Sequence, residues 1–280
     1  MKRPLIVFSH ANSFPGSTYR LLTDKLTQLG HHVHVVDRFG HDARYPVTQN
    51  WPHLTQELAD FAAHAMRQEN RDAWLVGHSL GGILSLFCAG KFPRMGEHRV
   101  RGVVVLDSPI MSGFRRTALS LAKRTGMIDK TPLVVGAKRR RIHWPDLESV
   151  HQGFARKSLF QRWHPEVLND YVRMGTREAV SPQGEVRYEL HFDRDIEMAI
   201  YKTLPDNLPT FLRKHPLQCP MAYIAGSESE EVKYARQGFA GQLIAAQPGL
   251  AWQVVEGGHL FPMEKPIESA QAIDRALRAM

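Results

Sequence analysis

Cysteine is nearly absent from this 280-residue chain: it has only Cys88 and Cys219, far apart in sequence. Two residues cannot make a disulfide framework, and their scarcity fits a reducing compartment. Both read as small core residues rather than catalysts. Long apolar runs are missing as well. The purest, such as Val103 to Leu106, end after four or five residues, far short of the roughly 18 that a membrane span needs. Lys2 and Arg3 resemble the start of a secretory signal, but the apolar run Leu5 to Phe8 is shorter than an h-region of about 7 to 15 residues, and no small-residue cleavage site follows. A cytoplasmic location is therefore expected. The 21 glycines and 17 prolines show no period, which removes a collagen-like chain, and 43% apolar with 23% charged residues is close to the globular average.

The length suits one large domain, or a core carrying an insertion. The net charge of +8 is unevenly placed. Residues 108–215 hold 19 Lys and Arg against 12 Asp and Glu, whereas the rest of the chain holds 17 against 16. A segment with its own electrostatics marks a candidate insertion.

Apolar periodicity alternates between short runs and longer amphipathic stretches. Leu5 to Ser9 reads as a buried strand and Ser17 to Leu29 as a helix, with Tyr19, Leu22, Leu26 and Leu29 on one face and Gly30 as its stop. Val33 to Asp37 is the next strand, Leu54 to Gln68 a helix, Ala73 to Gly77 a strand, Gly81 to Lys91 a helix and Val103 to Asp107 a strand. Strands separated by helices imply parallel pairing with right-handed crossovers, because hairpins would need only a few connecting residues. From Ser108 to His215 the alternation breaks. Strand pattern is scarce there, helical stretches such as Phe154 to Trp163 and Glu166 to Met174 dominate, and Lys138-Arg139-Arg140-Arg141 forms a basic run. The alternation resumes with Met221 to Ala225, Glu231 to Ala246, Trp252 to Val255 and Pro266 to Met280, the last helix being entered through its proline. An α/β sheet interrupted by a mostly helical insert is expected.

The segment that carries chemistry is Gly77-His78-Ser79-Leu80-Gly81-Gly82, placed between a strand and a helix. From this chain's glycine and serine frequencies, about 0.08 chance occurrences of G-x-S-x-G are expected. A sharp strand-to-helix bend crowds its neighbours, so the positions two before and two after the serine tolerate almost no side chain. Ser79 would then project from the carboxyl edge of the sheet, its oxygen near a helix N-terminus that favours developing negative charge.

With these residues in place, the chain resembles an α/β-hydrolase fold protein over most of its length. Four segments carry the likeness: Ser9 to Gly16 (SHANSFPG), Gly77 to Gly82, Val103 to Pro109, and Gly257-Gly258-His259-Leu260-Phe261-Pro262. The resemblance implies a mostly parallel sheet flanked by helices, formed by residues 1–107 and 216–280, with a helical cap of residues 108–215 inserted between the sixth and seventh strands in family order. The first strand is similar to the family's third, so the two strands that usually precede it have no counterpart.

A serine hydroxyl is a weak nucleophile until a base takes its proton. Of the fifteen histidines, His259 is the candidate base, because it follows a strand and two glycines and comes last in the order serine, acid, histidine. His10 matches a loop histidine of the family and is expected to shape that loop, and His78 to face the sheet or the pocket wall. His31, His32 and His34 suggest a metal, yet only His32 and His34 share a strand face and no acid or cysteine completes the set, so no metal and no organic cofactor is expected.

The third group must hold the histidine tautomer and stabilise its charge, which calls for a carboxylate. The family's common Gly-x-x-Asp after the seventh strand is here Gly226-Ser227-Glu228-Ser229. Ser229 sits in the acid's place, and a hydroxyl cannot neutralise an imidazolium. Asp107 is the favoured acid, with Ser229 as an accessory in the same network, and Glu228 and Glu230 are the alternatives. By resemblance the oxyanion hole takes backbone N–H groups from Leu80 and from Asn12. Ala11 replaces the family's usual glycine, which leaves Ala11 and Ser13 open as substitutes for Asn12.

These residues support acyl transfer by a serine hydrolase on a small to medium carboxylic ester. A thioesterase, a C–C bond hydrolase or a cofactor-free haloperoxidase would use the same machinery, whereas the absence of an aspartate nucleophile disfavours dehalogenase and epoxide-hydrolase chemistry. In the cap, Phe114, Trp144, Phe154, Phe160, Trp163, Tyr171 and Tyr201 are expected mostly to hold the cap together. Arg115, Arg116 and the run Lys138 to Arg141 either attract an acidic substrate or form a solvated basic loop. Two other classes stay open: a binding protein with a spent triad, which an organophosphonate would fail to label, and a nucleic-acid or membrane-surface partner of the basic insert, which predicts steep salt dependence. No aromatic-interleaved RNA motif supports the latter.

Overall fold

The computed structural model describes residues 4–181, 183–245 and 252–280. Lys2 and Arg3, and Ala246 at the expected end of a helix, lie outside the described residues. The chain runs β1 (Leu5–Ser9), α1 (Arg20–Gln28), β2 (His32–Val35), α2 (Pro52–Glu69), β3 (Ala73–His78), α3 (Leu80–Lys91), β4 (Arg94–Met95) and β5 (His98–Leu106). Between β5 and the next core strand come α4 (Gly113–Arg124), α5 (Pro132–Lys138), β6 (His143–Trp144), α6 (Leu147–Ala155), α7 (Ser158–Gln161), α8 (Pro165–Met174), β7 (Thr176–Val180), β8 (Val186–Leu190), α9 (Arg194–Lys202) and α10 (Leu208–Lys214). The core resumes with β9 (Met221–Gly226), α11 (Glu231–Gln237), α12 (Phe239–Ala245), β10 (Trp252–Val255), α13 (Phe261–Glu264) and α14 (Pro266–Ala279).

Among the described residues the main sheet has the order β10-β9-β5-β3-β1-β2, all neighbours parallel, with β4 folded back antiparallel on β5. Both faces are covered, so the strands read as apolar runs without alternation. Leu5, Val7, Leu75, Val103 and Val105 face α2 and α3 through Leu54, Leu58, Ile83 and Leu84. Ile6, Phe8, Val76, Val104 and Ile224 face α1 and α14 through Leu22, Leu26, Ile273 and Leu277. Each fully buried Leu or Val side chain of this kind contributes about 1.5–3 kcal/mol.

The expected helical insert is corrected in one respect: it contains a three-stranded antiparallel sheet, β6-β8-β7. Thr176–Val180 and Val186–Leu190 place Arg177 opposite Glu189 and Val180 opposite Val186. Charged and half-exposed residues on such short strands hide the apolar signal that periodicity reads. A second correction concerns the helix expected from Glu231 onward, which breaks into α11 and α12 at Gly238. A Cβ there would lie 2.5 Å from the Tyr234 carbonyl oxygen and 2.9 Å from Ser112 Oγ, so the chain turns where a side chain has no room.

Glu57 on α2 accepts a hydrogen bond from the Gly40 N–H at 2.9 Å, and burial pushes its carboxyl up to about 7. A raised folded-state pKa means that its contribution is fully present below the ordinary glutamate range and is lost as pH rises through 7. Glu57→Gln keeps the acceptor and removes the charge. The variant is expected to melt above the wild type at pH 8 and level with it near pH 4.5, which paired thermal-denaturation curves would check.

Candidate active site

The parallel ladder delivers three segments to the carboxyl edge of the sheet. Gly77 pairs with Val105 and His78 with Leu106, and the Ser79 N–H then donates to the Leu106 carbonyl at 2.9 Å. Ser79 closes β3 with φ 53° and ψ −111°, a bend that only sterically emptied surroundings permit. A Cβ on Gly77 would meet the Gly81 carbonyl carbon at 2.2 Å, and one on Gly81 would meet the Ser9 oxygen of β1 at the same distance. The glycines thus let α3 start directly against the sheet.

Asp107 ends β5 in the same way, with φ 44° and its N–H donating to Ile224 O at 2.9 Å. Its carboxylate is wholly buried. Such a charge persists only when its oxygens are hydrogen-bonded, and here three donors serve it. The Gly226 N–H reaches Oδ1 at 3.0 Å, Ser229 Oγ reaches Oδ2 at 2.5 Å, and His259 Nδ1 lies 2.7 Å from Oδ2. On the far side of the same imidazole, His259 Nε2 is 3.0 Å from Ser79 Oγ. The structure therefore brings Ser79, His259, Asp107 and Ser229 together. Glu228 also lines the cavity over Ser79, but its two oxygens are taken by Arg162 at 2.7 and 2.9 Å and no bond joins it to His259. Glu230 precedes α11 as its N-cap residue and lines the cavity, but no bond joins it to His259.

His78 sits beside Ser79 and is buried. Its Nδ1 accepts from the Tyr19 hydroxyl at 2.7 Å and its Nε2 donates to the His259 carbonyl at 2.8 Å. Burial first, then nearby His259, holds His78 well below the ordinary imidazole range, which keeps it neutral with one nitrogen accepting and the other donating. Tyr19 in turn accepts the Ala11 N–H at 3.0 Å. That bond occupies the Ala11 donor, which bears on the choice among Ala11, Asn12 and Ser13. His10 donates from Nδ1 to Ala11 O at 2.8 Å and accepts the Phe39 N–H at Nε2, 3.0 Å away, with burial lowering its pKa to about 4. It is a neutral brace within the loop.

Residues from the 108–215 span reach this loop. Glu197 of α9, almost fully buried, accepts from Ser13 Oγ at 2.5 Å and from Arg140 Nη1 at 2.8 Å, and its carbonyl accepts Asn12 Nδ2 at 3.1 Å. Arg140 also donates to the Tyr171 hydroxyl. The basic run is thus not a solvated loop as a whole: Lys138 and Arg139 are exposed, whereas Arg140 is an internal ion-pair partner. Arg115 is engaged by both oxygens of Glu231 at 3.2 and 2.8 Å and stacks over Tyr234, and Arg116 donates to Thr210 Oγ1. Trp144, Phe154, Phe160, Trp163 and Tyr171 form a buried aromatic cluster. Phe114 departs from that pattern, being 86% exposed, and Tyr201 lines the cavity over Ser79.

That cavity has a volume of about 530 Å³ and is walled by Phe14, Trp51, Ile83, Met111, Leu133, Leu159, Ile200 and Leu204, and Ser79 and His259 also line it. Glu197 and Tyr19 had no motif to announce them, and the basic run did not distinguish Arg140 from its neighbours. They are legible only as ordinary polar residues until the fold encloses them. The reading of the histidine cluster also needs correction: Glu69, at the end of α2, supplies the acid that His32 and His34 lacked in sequence, while His31 turns away to Asp274 at 2.7 Å.

An apolar cavity over a serine, imidazole and buried carboxylate, on a doubly covered parallel sheet, defines the hydrolase class of α/β proteins. The sequence profile described as the alpha/beta hydrolase family matches residues 6–272, and the chain belongs to that family. No curated protein matches it. Among solved structures, E-2-(acetamidomethylene)succinate hydrolase is 21% identical with a TM-score of 0.70, covering 99% of this chain and 92% of its own. The peroxisomal alpha-beta-hydrolase Lpx1 of Saccharomyces cerevisiae is 14% identical with a TM-score of 0.71, covering 99% and 77%. The thioesterase domain from the curacin biosynthetic pathway is 16% identical with a TM-score of 0.67, covering 97% and 91%. At these identities the likeness is one of fold. No helix among the described residues is long and apolar enough to cross a membrane.

Removing one partner of a buried ion pair leaves the other charge uncompensated, at a cost of about 3–5 kcal/mol. Arg140→Ala is expected to lose stability on that scale in urea unfolding, and Lys138→Ala or Arg139→Ala, whose side chains are exposed, to stay within about 0.5 kcal/mol of the wild type.

Proposed function

We propose that the protein is a serine hydrolase that cleaves small to medium carboxylic esters through an acyl-enzyme, with Ser79 as nucleophile, His259 as base and Asp107 as the acid. The observation that carries this reading is the continuous line from Ser79 Oγ to His259 Nε2 at 3.0 Å and from His259 Nδ1 to Asp107 Oδ2 at 2.7 Å. In that line Nδ1 carries the proton donated to Asp107, so Nε2 has its lone pair toward the serine.

Ser79 Oγ attacks the ester carbonyl carbon while its proton passes to His259 Nε2, and the imidazolium that forms is stabilised by the buried Asp107 carboxylate. The carbonyl oxygen becomes an oxyanion, which the N–H groups of Leu80 and Asn12 receive. Leu80 opens α3, where backbone N–H groups lack intrahelical partners. Donation of the Ala11 N–H to Tyr19 favours Asn12 over Ala11 as the second donor. When the intermediate collapses, His259 returns the proton to the departing alkoxide and the alcohol leaves. Water then loses a proton to His259 as it attacks the acyl-serine, and the acid is released with Ser79 restored.

The apolar wall contributed by residues 108–215 supports an aliphatic or aromatic acyl group, and the cap of that span shields the oxyanion from bulk water. Ser229 acts as an accessory donor that holds Asp107 Oδ2 in line. The two carboxylates weighed as alternatives fit less well, since Glu228 is engaged outward by Arg162. With all chemistry assigned to side chains and backbone amides, the mechanism calls on no metal or organic cofactor, and the partner it needs is a small-molecule ester rather than a nucleic acid.

An organophosphonate probe is expected to label wild type and not Ser79→Ala. A panel of p-nitrophenyl esters of graded chain length, run beside a thioester and a C–C bond substrate, should show the highest kcat/KM on an ester. Faster turnover of the thioester or the C–C substrate would redirect the assignment, and an unlabelled Ser79 would leave only a binding role.

Asp107→Asn keeps the shape but presents the imidazole with the wrong partner, and a loss of about 10⁴-fold in kcat is expected. Glu228→Gln and Glu230→Gln should retain near-normal turnover. Strong loss in either glutamate variant with an active Asp107→Asn would move the acid.

A further inference from the structure

His32, His34 and Glu69 converge at the end of the sheet opposite Ser79. His32 and His34 are two apart on β2, so their side chains leave the same face of the strand, with ring centres 5.1 Å apart. Glu69 closes α2 and offers one oxygen to each: Oε2 lies 2.9 Å from His32 Nδ1 and Oε1 lies 3.1 Å from His34 Nε2. The three candidate ligand atoms all fall within 4.8 Å of one another. In a tetrahedral zinc site with bonds of about 2.0–2.1 Å, neighbouring ligand atoms stand about 3.3 Å apart. Each ring nitrogen is within a few tenths of an ångström of that value from a different oxygen of Glu69, and the whole set of ligand atoms lies inside 4.8 Å.

We propose that His32 Nδ1, His34 Nε2 and a carboxylate oxygen of Glu69 bind one divalent ion of the zinc class, with solvent in the fourth position. Two imidazoles and one carboxylate suit zinc, nickel or copper rather than magnesium or calcium, which prefer oxygen sets. Side-chain exposures of 46% for His32, 21% for His34 and 15% for Glu69 leave the cluster open on one side to water while its base is packed. Binding requires each neutral ring to carry its N–H on the other nitrogen, so the lone pairs that replace the N–H donors face the ion and no net proton need be lost. The ion then takes over the task of holding the Glu69 charge.

Arg71 Nη2 stands 3.5 Å from Glu69 Oε2. Its positive charge opposes a second cation and sets the affinity below that of an all-neutral surround. His32 is level with Leu5 and Ala73 across the sheet, and Ser79 follows Ala73 by six residues. At about 3.3 Å of rise per residue, the ion lies roughly 20 Å or more from the serine. Its effect is structural: it ties the edge strand β2 to the C-terminal end of α2.

The full chain, stripped with chelator and titrated with zinc chloride by calorimetry, is expected to bind one tight equivalent that is lost in His32→Ala/His34→Ala and in Glu69→Gln. Zinc should raise the Tm of the wild type and not of those variants. Cobalt(II) should give the intense visible bands of a four-coordinate ion in the wild type alone. His32→Gln, a milder change at the more exposed of the two rings, guards against misfolding of the double variant and should also lose the equivalent. Equal zinc stoichiometry in wild type and variants, or a cobalt spectrum of an octahedral ion, would overturn the site.

Discussion

A single buried negative charge organises this molecule. The Asp107 carboxylate has no access to solvent, and a carboxylate removed from water costs several kcal/mol unless donors replace its hydration. Those donors come from the end of β9, from the turn that follows it and from the loop after β10. Satisfying one charge therefore pins two separate chain segments, residues 226–229 and the His259 loop, to the end of β5. The positive φ at Asp107 is the local strain that accompanies that position. In the same step the imidazole of His259 is aimed across the gap to Ser79.

The loops around the serine are joined by a second polar chain that runs from the Ala11 amide through Tyr19 and His78 to the His259 carbonyl. Ala11, Tyr19 and His78 are buried, so leaving any of them unpaired would carry the desolvation penalty of a lost hydrogen bond. Helix α9 enters the same system through Glu197, which holds Ser13 and Asn12 and is itself neutralised by Arg140. Tyr201 lies one helical turn further along α9 and lines the cavity. The helix that walls the pocket is thus also the helix that holds Asn12 and Ser13 in the loop beside Ser79.

Several of these features could be read in the chain before any fold was known, because local sterics dictate them. The G-x-S-x-G bend is one, since Gly77 and Gly81 face backbone atoms at distances no Cβ tolerates. The βα alternation is another, because strands buried on both faces must be apolar throughout. Short strands with one wet face were not legible, as β7 and β8 show, and neither was the break between α11 and α12, which depends on Tyr234 and Ser112 closing around Gly238.

By itself, the order of residues determined the parallel sheet, the sharp turn at Ser79 and the short list of histidines and acids able to serve it, because each of these follows from neighbours a few positions apart. Tertiary structure alone decided that Asp107 rather than Glu228 stands behind His259, that Arg140 is internal while Lys138 and Arg139 are wet, and that Glu69 meets His32 and His34. Those outcomes depend on residues between 35 and more than 150 positions apart. Whether such groups share a desolvated space is set by packing, and no local pattern in the chain encodes it.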